Sequence, residues 1–429
     1  RVAFGFAEVP TGHTLPSVTH SVLLSPSSLP VAVLCKASQL RVAFGFAEVP
    51  TGHTLPSVAH SSLVESGVTM TNKDGMNYAP KGKPDPVVKA GEFVFSVAYL
   101  KHGHIYGMTG GLLDAGATLK YVYDDDPALL KRFLKQYPQA TPADSYDVIL
   151  NDPDTRLVAS AAVTCDRAGV GFQAMRAGKD YFTDKAPFTT LKQIETAREL
   201  IRETGKKYMV YYGEYVHVEA AVFAKQLIDE GAIGKVVQVL GLGPHRLNAP
   251  ARPAWFFEKE KYGGILCDIG SHQIYQFLIF ADVQAAAVTH SQIGNFGNPQ
   301  YPELDDFGYA TLVSSGGETM YFRVDWFTPD GLDTWGDGRM IILGTKGYIE
   351  LRKYTDLAIA QREGNVYLAN QAGVQYLNVQ GKVGYPFFGQ LILDCLNRTE
   401  TAMTQHQALL AAELSIRAQA QAQVIHAAK

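Results

Sequence analysis

The sequence predicts an α/β protein: a doubly wound parallel sheet, then an α+β part built on a large, mostly antiparallel sheet. Three observations carry this. From Gly91 to Gly213 short apolar runs alternate with helical stretches, the pattern of parallel strands joined by crossover helices. Beyond Gly213, longer alternating segments rich in Val and Tyr take over, as in strands with one wetted face. The chain has 429 residues, 46% of them hydrophobic and 19% charged, enough for two large cores.

Each element has a local reason. Phe93–Leu100 is an apolar run suited to a buried parallel strand, and Ile105–Ala115 reads as a helix ending at Gly116. Thr118–Tyr123 is a second strand closed by Asp124–Asp126, and Pro127 sits in the first turn of the helix that Leu129–Tyr137 completes. Leu157–Val163, Asp180–Thr183 and Lys207–Tyr212 are further strands, separated by helices over Asp166–Ala177 and Leu191–Thr204. A helix over Val216–Glu230 leads to strands at Val236–Leu242, Ala285–Gln292, Tyr309–Ser314, Glu318–Asp325, Met340–Gly344 and Tyr348–Leu351. Late helices fall at Phe387–Asn397 and His406–Ala422.

The first seventy residues stand apart. Residues 1–21 and 41–61 are identical except for Thr19 against Ala59. Two copies do not make a solenoid, which needs about three stacked units. A targeting segment near Val31–Leu34 lacks a basic flank and a cleavage site. The expectation is a duplicated extension over 1–69 outside the fold, with a natural start at Met70 or Met76. Residues 70–90, polar and rich in Pro and Lys, read as an arm.

The net charge of −4 argues against a basic nucleic-acid face. No apolar run is long enough for a spanning helix, so no membrane partner is expected. Cys35, Cys165, Cys267 and Cys395 lie far apart without metal-type spacing, which fits a reducing cytoplasm.

The loop after the first strand is an imperfect nucleotide fingerprint. Where G-x-G-x-x-G would stand, the chain reads Ala98-Tyr99-Leu100-Lys101-His102-Gly103, so only the last glycine survives. Asp124 follows the second strand, where a carboxylate accepts hydrogen bonds from a ribose and repels a 2′-phosphate. That position favours NAD over NADP. Asp124 can equally serve as a helix N-terminal carboxylate. His102 and His104 raise the question of a metal, but nothing nearby in the chain supplies a third ligand. They read instead as a wall of the cofactor pocket, with Lys101 neutralising the pyrophosphate.

Two motifs carry chemistry. Asp184-Lys185-Ala186-Pro187 follows a strand, so Lys185 faces the ligand crevice of such a sheet. In Tyr262–His272 (YGGILCDIGSH), a helix would place Asp268 and His272 on one face at i and i+4. The carboxylate would then orient and charge the imidazole, as in a base and its orienter. Cys267 has apolar neighbours and reads as an inert thiol.

These motifs resemble those of the glucose–fructose oxidoreductase/inositol dehydrogenase (Gfo/Idh/MocA) family, from about Glu92 to the end of the chain. Asp184-Lys185-Ala186-Pro187 is similar to its Glu-Lys-Pro motif, with one inserted residue. Tyr262–Leu278 resembles its Gly-Gly-x-Leu-x-Asp-x-Gly-x-His segment, with Tyr275 where the family continues to Asp. Ala177-Gly178-Lys179-Asp180 and Gly344–Glu350 resemble two further family stretches.

The resemblance implies a Rossmann-type dinucleotide-binding domain at 91–213 and a substrate-binding, oligomerising domain at 214–429. It implies hydride transfer between a sugar, polyol or cyclitol and NAD, with Lys185, Asp268 and His272 catalytic. The cofactor site would draw on Ala98, Leu100, Lys101, His102, Gly103, His104, Ile105, Asp124 and Lys185. The substrate would meet Tyr215, His217, His245, Arg246, Trp255, Asp268 and His272. Trp326 and Trp335 belong either to that wall or to a core or interface. No metal is expected, and a homodimer or homotetramer would form through the later sheet. A lyase or glycosidase using tightly held NAD, or a nucleotide-sensing protein of this fold, are the alternatives.

Overall fold

The computed structural model describes residues 86–359 and 363–426. The duplicated extension and most of the arm lie outside the described residues. The last residues of the arm are packed: Val87 donates its N–H to Ala115 O at 3.0 Å.

The first sheet has six strands, all parallel, in the order β3-β2-β1-β4-β5-β6. They are β1 (Val94–Ala98), β2 (Thr118–Tyr123), β3 (Thr141–Pro142), β4 (Leu157–Ser160), β5 (Asp180–Asp184) and β6 (Tyr208–Tyr211). Helices α1 (His104–Asp114), α2 (Pro127–Gln136), α3 (Tyr146–Asn151), α4 (Arg167–Arg176) and α5 (Leu191–Thr204) make the connections. Strands β4, β5 and β6 are buried along their whole length, as parallel strands covered on both faces are. The chain order reverses between β1 and β4, the switch point where ligands of such sheets bind.

Short helices α6 (Gly213–Val216) and α7 (Glu219–Asp229) lead into the second sheet. Its strands are β7 (Val236–Pro244), β8 (Ala286–Asn295), β9 (Phe307–Ser314), β10 (Thr319–Asp325), β11 (Arg339–Gly344), β12 (Gly347–Arg352), β13 (Asn365–Asn370), β14 (Gly373–Asn378) and β15 (Gln423–His426). Their order is β14-β13-β12-β11-β7-β10-β9-β8-β15. The pairs β7–β10 and β8–β15 are parallel and the rest antiparallel. Helices α8 (Lys259–Tyr262), α9 (Ile265–Asp268) and α10 (Gly270–Phe280) lie between β7 and β8, while α11 (Pro386–Asn397) and α12 (Gln405–Gln421) follow β14.

The late helices return to the first sheet. Gln405, opening α12, sits on the edge strand β6: its Oε1 accepts from Tyr208 N at 2.7 Å and its Nε2 donates to Tyr208 O at 3.2 Å. The side-chain amide thus imitates a neighbouring strand and blunts an open edge. Tyr212 Oη donates to Ala408 O at 3.0 Å. Helix α11 packs on α1, where a Cβ at Gly111 would fall 2.3 Å from the Phe388 ring.

Candidate active site

Two elements whose site residues stand 83 positions apart in the chain meet at the carboxyl edge of the first sheet. Lys185 leaves β5, and Asp268 ends α9. Their side chains are 4% and 8% exposed, and Nζ lies 2.5 Å from Oδ1. Burial alone would raise the Asp268 carboxyl, but the Lys185 ammonium holds it down to about 2. Oδ2 of Asp268 is buried without a hydrogen-bond partner.

The turn into α9 needs its glycines. Gly263 and Gly264 have φ of 88° and 89°, a region that side chains disfavour. A Cβ on Gly264 would also lie 2.2 Å from the Gln419 side chain, whose Oε1 accepts from Leu266 N at 2.9 Å.

The expected Asp268–His272 pair does not form. The helix is interrupted at Ile269, between α9 and α10, and Asp268 turns to Lys185 instead. His272 is 2% exposed, and its Nδ1 is buried without a partner. Burial holds this imidazole well below its usual range, and the carboxylate that opposes the effect is Glu214.

Glu214 escaped the sequence reading, although Tyr215 beside it did not. It is 3% exposed. Its Oε2 accepts from Lys353 Nζ at 3.0 Å and Gln273 Nε2 at 2.9 Å, and its Oε1 is 3.8 Å from His245 Nε2. Burial favours its neutral form, but Lys353 first, then His272 and His245, bring the carboxyl to about 2. The depressed value makes this contribution to stability complete above about pH 4.5 and lost as pH falls toward about 2. The melting-temperature difference between wild type and Glu214→Gln is therefore expected to be large at pH 7 and to shrink below pH 4.5. A constant difference down to pH 2 would refute the charged pair.

A small cleft is lined by His104, Tyr211, Glu214, His217, His245 and His272, among others. His217 bonds Tyr211 Oη through Nδ1 at 2.6 Å, and burial lowers its pKa to about 3. His245 bonds Gly243 O at 3.1 Å, packs near Trp326 and Trp335, and is lowered by burial to about 4.

Four expected substrate residues do not line this cleft: Asp268, which turns to Lys185, and Tyr215, Arg246 and Trp255. Tyr215 packs on Tyr275 and Phe280 and lines a separate cavity with Ile279 and Phe387. Arg246 braces a loop, reaching Asp330 Oδ1 at 2.7 Å, Leu332 O at 2.6 Å and Thr334 O at 2.9 Å. Trp255 sits on a 3₁₀ turn, edge-on to Phe256. Their positions in the chain could not reveal which way their side chains turn.

On the cofactor side, Ala98 and Ile105 are wholly buried and Leu100 nearly so, so none of the three presents a side chain to a ligand. Asp124 Oδ2 accepts from Leu100 N at 2.6 Å, and Oδ1 from Asp126 N and Lys101 Nζ, both at 2.7 Å. Lys101 also pairs with Asp125, so it is turned toward the acidic corner and not free for a pyrophosphate. The cap of α2 is Asp126, whose Oδ1 accepts from Ala128 N at 2.8 Å. Asp124 therefore has no capping role and ties β2 to the loop after β1. Tyr99, in that loop, has φ of 63°, a strained value for a bulky residue that tends to mark functional loops. Gly103 precedes α1 without a side chain to cap it; His104 N donates to His102 Nδ1 at 3.4 Å, and Ile105 N to His102 O at 3.3 Å.

Asp184 is the buried hub of this corner. It meets His102 Nδ1 at 2.9 Å, His104 Nδ1 at 2.8 Å and Arg167 Nη2 at 3.1 Å, and accepts from Lys185 N at 2.8 Å. Burial would raise its carboxyl, yet these cations and imidazoles hold it well below the usual range.

The doubly wound sheet followed by a large mixed sheet is an arrangement this chain shares with solved structures described as oxidoreductases. The profile of the GFO/IDH/MocA C-terminal domain matches residues 222–350. The chain belongs to the Gfo/Idh/MocA family. It is similar to a crystal structure from Erwinia carotovora atroseptica described only as a proposed oxidoreductase, at 46% identity and a TM-score of 0.76, covering 78% of this chain and all of that one. It is 30% identical over 214 residues to D-xylose dehydrogenase of Paenarthrobacter nicotinovorans, covering 46% of this chain and 54% of that one. Levoglucosan dehydrogenase in complex with NADH and levoglucosan shares the fold, at 16% identity and a TM-score of 0.63, covering 76% of this chain and 98% of that one. The chain spans 40% to 63% of the length of the curated relatives it matches. Among the described residues no helix is long and apolar enough to cross a membrane.

Proposed function

We propose that the chain is an NAD-dependent oxidoreductase that moves a hydride between a carbinol carbon of a sugar, polyol or cyclitol and nicotinamide. The observation that carries this reading is the buried Lys185–Asp268 pair at 2.5 Å, near two buried polar atoms without protein partners, Asp268 Oδ2 and His272 Nδ1. Buried polar atoms are nearly always satisfied, so a ligand with several hydroxyl groups is a natural partner. The relatives named as D-xylose and scyllo-inositol dehydrogenases act on such compounds.

Nicotinamide, when bound, supplies the hydride acceptor. The fold fits a dinucleotide: the loop after β1 and the start of α1 stand at the switch point, where a pyrophosphate is held, and Asp124 ends β2 beside them, fixing that loop through Leu100 N. Asp124 disfavours a 2′-phosphate, hence NAD over NADP.

His272, kept neutral by burial, takes the hydroxyl proton at its unpartnered nitrogen. Lys185 donates to the same oxygen and stabilises the alkoxide character that develops there. Asp268 keeps Lys185 in place and accepts from a second hydroxyl through Oδ2.

The test is a melting series. Excess NAD is expected to raise Tm and NADP to do so less, since a ligand stabilises by RT ln(1 + [L]/Kd). A sugar and polyol screen should then yield NADH. No shift and no NADH with any sugar would sink the proposal.

The free thiols Cys165, Cys267 and Cys395 support a cytoplasmic setting. The outer face of the second sheet supports a homodimer or homotetramer. There Ile341 pairs with Leu240, and Leu343 with Tyr348; Ile341, Leu343 and Tyr348 are exposed. Light scattering should give a dimer or tetramer for wild type and a smaller species for Ile341→Glu/Leu343→Lys. A monomeric wild type would refute it.

A further inference from the structure

We propose that His102, His104 and Asp184 form a binding site for a divalent first-row transition-metal ion at the switch point of the first sheet. The two histidines flank Gly103 in the loop after β1, and Asp184 ends β5. Strand β4 lies between β1 and β5, so the segments converge beside its carboxyl end. A scan along the chain finds no third ligand near His102 and His104; the fold delivers one from 80 residues away.

The geometry suits an ion. One potential ligand atom from each residue lies within 4.8 Å of the other two. His102 Nδ1 is 2.9 Å from one Asp184 oxygen and His104 Nδ1 is 2.8 Å from the other. The two contacts reach different oxygens of one carboxylate, so the residues converge as a two-histidine, one-carboxylate set whose donors an ion would draw in to about 2.05 Å. Such a set leaves positions open on the ion.

The surroundings hold the ligands still. Arg167 Nη2 donates to Asp184 Oδ2 at 3.1 Å and Lys185 N to Oδ1 at 2.8 Å. The imidazoles meet edge to face, with centroids 4.4 Å apart. This is the outer-shell support that fixes ligand orientation. Without an ion, His104 Nδ1 shares a hydrogen bond with Asp184 Oδ1 at 2.8 Å, while His102 Nδ1 accepts from His104 N at 3.4 Å and lies 2.9 Å from the other Asp184 oxygen. His104 also lines the cleft that contains His272 and Glu214, so an open position would hold a water or substrate oxygen on that side. The site does not depend on the dehydrogenase reading.

The test uses tag-free full-length protein, stripped with a chelator and titrated with Co²⁺ and then Zn²⁺. One ion per chain should survive gel filtration, as counted by elemental mass spectrometry. Bound Co²⁺ should give a visible absorption band that Zn²⁺ abolishes. His104→Ala should weaken Co²⁺ binding at least about ten-fold, while the stripped variant keeps the circular dichroism of stripped wild type. Asp184 has too many buried partners to be the first choice, so His102→Gln is the second variant, with the same expectation. No retained ion and no band in wild type would overturn the site, as would undiminished binding in both variants. The NAD melting shift is read on the same samples, so failure of one proposal leaves the other standing or falling by itself.

Discussion

Replacing His272 by alanine is expected to lower kcat by about 10²–10⁴-fold, the usual worth of a positioned acid–base group. The NAD-induced rise in Tm should survive, because His272 lies on α10 in the later part of the chain and not in the loops around Asp124. His272 is 2% exposed, so the truncation also leaves a cavity; His272→Gln, which keeps most of the volume, serves as the control. Steady-state rates with the best sugar from the screen decide it. Unchanged turnover in both variants would remove His272 from the chemistry.

The second large effect concerns Asp268. Asp268→Asn keeps the shape but leaves the Lys185 ammonium buried opposite a neutral amide. Removing one partner of a buried ion pair costs about 3–5 kcal/mol, which a urea titration reads directly. The double variant Lys185→Met/Asp268→Asn should recover part of that loss, because the stranded charge is gone. It should not recover activity, since Lys185 is proposed to hold the reacting oxygen. A double variant no more stable than Asp268→Asn would mean that the pair is not the unit the 2.5 Å contact suggests. The two changes must be read as a cycle, since residues in contact do not add.

Regular elements were legible because their signals are local and periodic. The alternation from Phe93 to Tyr212 has its counterpart in six parallel strands with their helices. What the sequence hid falls into two kinds. Short elements with weak punctuation were missed, such as α3 and the β13–β14 hairpin, whose turn lacks an Asn-Gly or Asp-Gly signal. Convergences across the fold were missed as well. The i, i+4 argument for Asp268 and His272 looked only along the helix, but the carboxylate meets a lysine 83 residues away. Glu214 finds Lys353 139 residues on. Pairings of that kind follow from strand order, which no window of sequence contains.

The seating of α12 on β6 has a consequence for the order in which the protein is made. Gln405 closes the edge of a strand that ends at Tyr211. At about 5–20 residues per second on the ribosome, roughly 10–40 s separate the two during synthesis. For that interval the nascent first sheet carries an unpaired edge and an uncovered Tyr212, while most of the second sheet is still being translated. Until α12 emerges, that edge stays open to pairing with a wrong strand.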